Sequence, residues 1–364
     1  MNTIDRYIST TFISSYAIVL LVFVGVYIFG DVVANLDEFT SDRSLNLQQV
    51  LINIADYYGH NLPLYYQQLG GIAVALAASF TFAMMLRNNE LTAIAATGVP
   101  LQRLAAPVLG CSVVLVAAWM ANSELVVPHF AQKIARQRSD LGATGTAEIK
   151  CVRDDNNAIL VAKELTAPHG ILKNVYIVEP ARPDGTRRLI GADAARYDPQ
   201  RQTWLLDRGV LQVVAAAPGT DSRLDGNIRW VPLDTYAFTL SPDEVRLRQS
   251  SQWADLTNVA QMNQLLKTQH LPNLPAIAKA RDIRFTQPLL AWILTLLAVP
   301  FFLTREPGDV LVAGGKALVL CGLCFAFTFL MHSMSAGAYT HVAVWAPVLL
   351  FGPVAVVHLA NVKT

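Results

Sequence analysis

The sequence predicts an α-helical polytopic membrane protein with six transmembrane helices and an inserted all-β, jellyroll-like domain. Three observations carry this. Hydrophobic residues make up 53% of the 364 positions and charged residues 15%, with a mean hydropathy of +0.37; an ordinary soluble domain is about 25% charged. The apolar residues gather into charge-free runs: Tyr7 to Gly30, Leu104 to Ser123, and Ala317 to Val362, where only histidines interrupt. Between the third and fourth apolar segments lies a long polar stretch whose periodicity shifts from helical to alternating, the pattern of half-buried strands.

A spanning helix needs roughly 20 mostly apolar residues, and six segments qualify: 12–30, 62–86, 104–123, 285–303, 310–331 and 342–360. The first is expected to be kept as a helix. Its run exceeds the ~7–15 residues of a signal-peptide core, and no small-x-small site precedes Asp31. Orientation follows from Lys and Arg in the short loops. Arg6, Arg87, Arg103, Arg305, Lys316 and Lys363 fall on one side. On the other side the short loops hold only Arg43; loop 31–61 is otherwise acidic, and 332–341 has no Lys or Arg. Both termini are therefore expected in the cytoplasm and the polar insert outside.

Residues 1–128 hold spans one to three, and the link "RNNELTAIAATGVPLQRL" at 87–104 is more than a turn. Asn88 or Asn89 suits an N-cap, Glu90 the positive end of a helix dipole, Gly98 a stop and Pro100 a new start. The pattern predicts a short cytoplasmic helix over 88–98 with Leu91, Ile94 and Ala95 as a narrow apolar face. Such a helix either rests on lipid headgroups or is gripped in a partner's groove, with Leu91 and Ile94 as anchors and Glu90 pairing with a cation.

Residues 129–284 form the insert. "HFAQKIARQRSDL" continues helically out of span three. Five β-prone runs follow, "NAILVAKEL", "ILKNVYIVE", "RRLIGADAARYD", "TWLLDRGVLQVVA" and "IRWVPLDTYAFTL", with turn residues at Pro183-Asp184-Gly185, Asp198-Pro199 and Pro218-Gly219. A sandwich, jelly roll or partly open barrel with antiparallel pairing fits this spacing. After Pro242 the helical period returns, and "WADLTNVAQMNQLLKTQ" places Leu256, Val259, Met262 and Leu265 on one stripe. Pro272 and Pro275 end it, and a second short helix, "AIAKARDIRF", leads into spans four to six at 285–364.

Motifs for chemistry are missing. "GDVLVAGGKAL" fails as a phosphate loop: Val310 stands five before Gly315, and Ala317 replaces the Ser or Thr that would hold magnesium. Gly314 and Gly315 are expected to permit close helix packing instead. The seven histidines are scattered, and His332 and His341, flanking the last outside loop, read as interfacial polar residues. Cys111, Cys321 and Cys324 lie in spans as small buried residues, leaving Cys151 alone in the insert. No carboxylate sits centrally in a span, so the usual signature of an ion-coupled carrier is lacking and energy is expected from another protein. A net charge of +1 points to no nucleic acid.

The run "RNNELTAIAATGVPLQRLAAPVL" resembles the R-x-x-E-h-x-x-h-x-x-x-G run of the lipopolysaccharide export permeases, the LptF/LptG family. The likeness extends to "DRY" at 5–7, to the insert after span three, to "ADAARYDPQRQTWLL" within it, and to "RFTQPLLAWILTLLAVPFF" from Arg284. It implies a permease subunit, not itself an enzyme, of an ATP-driven exporter in the bacterial inner membrane. Such a protein takes lipopolysaccharide from the outer leaflet and passes it to a periplasmic β-jellyroll bridge. The implied partners are an LptB-like cytoplasmic ATPase dimer, which uses the ATP and Mg, a paired LptF- or LptG-like permease, and LptC/LptA-like bridge proteins. This chain would bind no cofactor or metal of its own. The resemblance makes Asn89, Glu90, Leu91, Ile94, Ala95 and Gly98 the ATPase-coupling residues, and spans one and five the lateral gate.

One departure concerns the outer end of span one, where some members carry lysines and this chain has "GDVVANLDEF". Headgroup phosphates are expected instead at the paired subunit, or at Lys133, Arg136 and Arg138 after span three and Lys279, Arg281 and Arg284 before span four. The alternative for these six is a solvated basic face. F-type and G-type are not separated, with a lean to G. Other classes are a permease or mechanotransmission subunit of another ABC-type lipid or lipoprotein exporter, a membrane-bound lipid-modifying enzyme, and a scaffold with a sensory β-domain. The first usually has four spans per half; the second would need convergent polar residues in a span beyond Gln67 and Gln68.

Overall fold

Among the described residues six helices are long and apolar enough to cross a membrane, and the first four outrun the apolar segments that mark them. The structure, a computed structural model, describes residues 3–37, 46–134, 146–166, 170–183, 186–214, 228–249, 253–267, 274–304, 309–334 and 339–362. Arg136, Arg138 and the expected turns at Asp184-Gly185 and Pro218-Gly219 lie outside the described residues. Helix α1 is Thr3–Ala34 and α2 is Leu47–Arg87. The 41 residues of α2 extend about 60 Å, twice the hydrocarbon thickness of a bilayer. Residues 47–61, expected as loop, are thus helical. Their polar composition hides a stripe of Val50, Tyr58, Asn61 and Tyr65 at helical spacing, three of which pack with Ile28 and Val32 of α1.

The short helix α3 is Glu90–Ala96, and α4, Leu101–Ala121, runs through a π-turn at Asn122–Val126 into α5, Val127–Ile134. Helices α2 and α4 pack tightly at Gly70. A Cβ there would lie 2.7 Å from Cδ1 of Trp119, whose indole N–H donates to the carbonyls of Tyr66 and Gln67 at 3.2 and 3.0 Å. Gly314 and Gly315, expected to serve such packing, do not: a Cβ on either meets nothing within 4 Å in this chain.

Among its described residues the insert holds eight antiparallel strands: β1 Thr146–Arg153, β2 Ile159–Thr166, β3 Ile171–Val178, β4 Arg187–Asp198, β5 Thr203–Asp207, β6 Val210–Val214, β7 Ile228–Pro232 and β8 Thr235–Tyr236. β1 to β4 follow one another as a meander; beyond β4, β8 pairs with β5 and β7 with β6. β5 and β6 pair with β4 in one unbroken register, from Asp198↔Thr203 to Arg187↔Val214. They form a single row interrupted at Arg208, with φ 50°, and Gly209, whose Cβ would strike the Leu233 carbonyl at 2.1 Å. The 198–203 hairpin is closed by Asp198, whose Oδ1 accepts the N–H of Gln200 at 3.0 Å, an Asx turn. β1 was not expected. Its buried residues, Ile149 and Val152, are three apart because the register slips beside Cys151, which has φ 51°, so alternation fails there.

Helix α6, Pro242–Gln249, returns the chain toward the membrane, followed by α7, Trp253–Leu256, and α8, Val259–Lys267. The single helix expected here breaks at Asn258, which caps α8 reciprocally with Gln261 at 2.7 and 3.0 Å, a polar form of the capping box. The expected short helix and span four merge into α9, Leu274–Ala298; Pro275 falls in its first turn, where the missing N–H is harmless. A 3-10 turn at Val299–Phe301, α10, Val310–Met334, and α11, Thr340–Ala360, complete the chain.

Candidate functional site

Two places concentrate polar groups against an apolar bundle. The first is a cavity of about 780 Å³ between α2, α9 and α10. Its deeper wall is apolar, with Ile72, Leu290, Leu294 and Phe325. Toward the ends of α9 and α10 nearest the β-domain it becomes polar, with Gln67, Gln68, Lys279, Gln287 and Asp255. The Lys279 ammonium donates to the carbonyl of His332, in the last turn of α10. Gln67 Oε1 is buried with no hydrogen-bond partner among the described residues. Burial raises the Asp255 carboxyl above the usual carboxylate range, and the nearby Arg284 charge opposes the shift.

Arg284 borders the same cavity but is only 7% exposed. Its Nη1 donates to the Ser123 carbonyl at 2.9 Å and to Glu124 Oε1 at 3.1 Å; its Nη2 reaches the carbonyls of Asp255 and, at 2.9 Å, Thr257. Glu124 also accepts the Val259 N–H at 2.8 Å. The residue thus joins the π-turn after α4 to the C-terminus of α7 and the start of α8. Arg281 donates to Asp282 Oδ1 at 3.0 Å and to Asn263 at 3.4 Å. Buried Asp282 is also contacted by His341 of α11, so His332 and His341 serve separate contacts. Of the six basic residues predicted, the structure brings Lys279 and Arg284 to one cavity; Lys133 lies on α5.

The second place is α3. Asn89 takes the N-cap position in a left-handed conformation, φ 59°, without a side-chain cap bond. Gly98, φ 83°, ends the turn with its N–H on the Ala95 carbonyl at 3.0 Å. Glu90 opens the helix and is tied down: Tyr7 donates to its Oε2 at 3.0 Å and Asn88 Nδ2 to its Oε1 at 3.3 Å. Leu91 is fully buried in a core shared with Ile8, Phe12, Phe82 and Leu104, and Ile94 and Ala95 pack against that core. The apolar face expected to meet a partner therefore turns inward, and the exposed positions are Asn89, Ala93, Ala96, Thr97 and Gly98. Gln102 lay outside the sequence reading. Its Nε2 holds the Ala360 and Val362 carbonyls at 3.1 Å each, fastening the start of α4 to the end of α11.

Among the described residues no group of three or more His, Cys, Asp or Glu could hold a metal ion. The fold and these sites define a polytopic membrane protein with a β-domain inserted between two helical halves and a cavity among its spans. Residues 6–361 match the family model of the lipopolysaccharide export system permease LptF/LptG. The chain belongs to that family, and is the membrane subunit of a transporter. No curated protein matches it.

Proposed function

We propose that this chain is one permease half of an ATP-driven exporter that lifts lipopolysaccharide from the outer leaflet of the bacterial inner membrane and delivers it to a periplasmic β-jellyroll bridge. Family membership over residues 6–361 carries this reading. In it both termini and α3 are cytoplasmic and the β-domain is periplasmic, consistent with Arg6, Arg87, Arg103 and Lys316 on one side. An LptB-like ATPase dimer docks at α3 and supplies the energy from ATP and Mg; an LptF- or LptG-like permease completes the membrane pair; LptC/LptA-like proteins receive the lipid.

Each CH₂ drawn from a bilayer into water costs about 0.8 kcal/mol, so an amphiphile with several acyl chains must be shielded throughout its exit. The apolar wall of the cavity suits the chains. Lys279 suits a phosphorylated headgroup. Arg284 has most of its donors engaged within the chain, so among the cavity cations headgroup contact falls to Lys279. The burial of Leu91 in the membrane core makes α3 a foot planted in the bundle, and closure of the ATPase on it moves α2 and α4 together.

Glu90→Lys tests this. The full complex carrying it, purified in mild detergent, is expected to insert normally but to lose the copurifying ATPase or lipopolysaccharide release. Wild-type ATPase yield and transport would remove Glu90 from the interface.

A further inference from the structure

Tyr7 lies near the start of α1 and is 47% exposed. Its bond to Glu90 joins residues 83 positions apart, so it is no local cap. An ionised carboxylate offers about four acceptor directions; Tyr7 and Asn88 use two, leaving room for a cation arriving from the cytoplasm.

The mechanical setting gives the bond its interest. Helix α3 is covalently continuous with α2 and α4 but reaches α1 only through space. Ile8 and Phe12 anchor the inner end of α1 in the core that holds Leu91. Its middle turns one face away from the bundle, with Leu21 74% and Val26 67% exposed, while Val19 and Leu20 pack on the core. Its outer end is tied again, by Tyr58 donating to Asp31 Oδ2 at 2.7 Å and by Tyr27 against Tyr65 with ring centroids 4.8 Å apart. Apolar contact alone resists compression and tolerates sliding, because it is non-directional. A hydrogen bond weakens steeply when its angle or length changes, so a displacement of Glu90 along the membrane plane carries α1 with it.

We propose that Tyr7 is a positioning residue that transmits movement of α3 to the first span, so that a cation gripping Glu90 shifts α1 together with α2 and α4. This rests on the assignment of Glu90 to the ATPase contact. It gives the "DRY" run at 5–7 a physical role: the tyrosine is the link, carried in the first turns of α1.

The test uses the full complex in proteoliposomes and reads three quantities: ATPase retained on purification, ATP hydrolysed, and lipopolysaccharide released per ATP. Tyr7→Phe keeps the ring and removes only the hydroxyl. It is expected to retain the ATPase and its hydrolysis while lipid per ATP falls about fivefold, the effect of one ordinary hydrogen bond. In a chain with its native cysteines replaced, a spin label on Leu21→Cys should show an ATP-dependent shift that Tyr7→Phe abolishes. Unchanged lipid per ATP and an unchanged spin-label response in Tyr7→Phe, with the ATPase lost in Glu90→Lys, overturn the inference and leave the Glu90 assignment standing. Loss of the ATPase in Tyr7→Phe also overturns it, since the hydroxyl would then shape the docking surface itself. Retention of the ATPase and transport in Glu90→Lys removes the assignment and, with it, the inference.

Discussion

Replacing Arg284 with alanine tests the joint between the bundle and the helices that lead to the β-domain. The guanidinium is 7% exposed and engages Ser123, Glu124, Asp255 and Thr257. Arg284→Ala would leave the Glu124 carboxylate, 23% exposed, without its counter-charge and strip backbone carbonyls of their donor. Removing one partner of such a pair costs about 3–5 kcal/mol, chiefly through the charge left behind. Neutralising that charge should then restore part of the loss: Arg284→Ala with Glu124→Gln is expected to recover about 1–2 kcal/mol relative to Arg284→Ala alone. With the other three cysteines replaced, Cys324, 1% exposed within the bundle, supplies a reporter, because a thiol-reactive fluorophore labels it as the helices separate. Thermal midpoints in detergent should fall by roughly 5–10 °C for the single variant. A fall below about 2 °C, or a double variant no more stable than the single one, would refute the view that a buried, compensated charge holds this joint.

Other consequences can be checked on the isolated chain. Gly70→Ala puts a methyl 2.7 Å from the Trp119 ring, which is pinned by its own hydrogen bonds; a loss of about 1–3 kcal/mol is expected. Gly314→Ala, which meets nothing within 4 Å inside helix α10, should leave the thermal midpoint unchanged or raise it slightly, since Ala favours a helix over Gly by up to about 1 kcal/mol; a loss equal to that of Gly70→Ala would contradict the packing described. In the β-domain, burial raises the Asp154 carboxyl although Oδ1 accepts the N–H groups of Ala158 and Asn156 at 2.7 and 3.0 Å. The folded state therefore holds the proton more tightly than the unfolded chain. This contribution to stability is full below about pH 4 and is lost as pH rises through the raised folded value. Denaturant unfolding followed by tryptophan fluorescence should show that slope, and Asp154→Asn should flatten it.

The spans were legible because the absence of charge over some 20 residues has few other physical causes. The strands from β2 onward were legible for a similar reason: inward residues such as Leu160, Ala162, Val175 and Ile177 alternate with outward ones. What stayed hidden depended on partners far along the chain. Asn53, Asp56 and His60 made 47–61 look like loop, and the contacts of Tyr58 and Tyr65 with α1 override that composition. Arg284 looked like a free surface cation because the sequence cannot show that the carbonyls at the end of α7 converge on it.

Helix α3 shows the limit most clearly and changes the character of the proposed ATPase contact. Periodicity correctly identified Leu91, Ile94 and Ala95 as its apolar face, but period alone cannot say which body that face meets. A helix of seven residues is too short to persist without tertiary packing, and its apolar side chains are the means of packing, so they belong to the bundle. The surface left for a neighbour is small and polar, with Asn89, Glu90, Ala93 and Thr97. Such a surface offers little apolar area to bury and one carboxylate, that of Glu90. Recognition there must rest on charge and on backbone fit at Ala93 and Gly98, where the lack of bulk admits close approach. Substituting Glu90 should therefore matter more to docking than trimming Ile94, the reverse of what a groove-anchored helix would give.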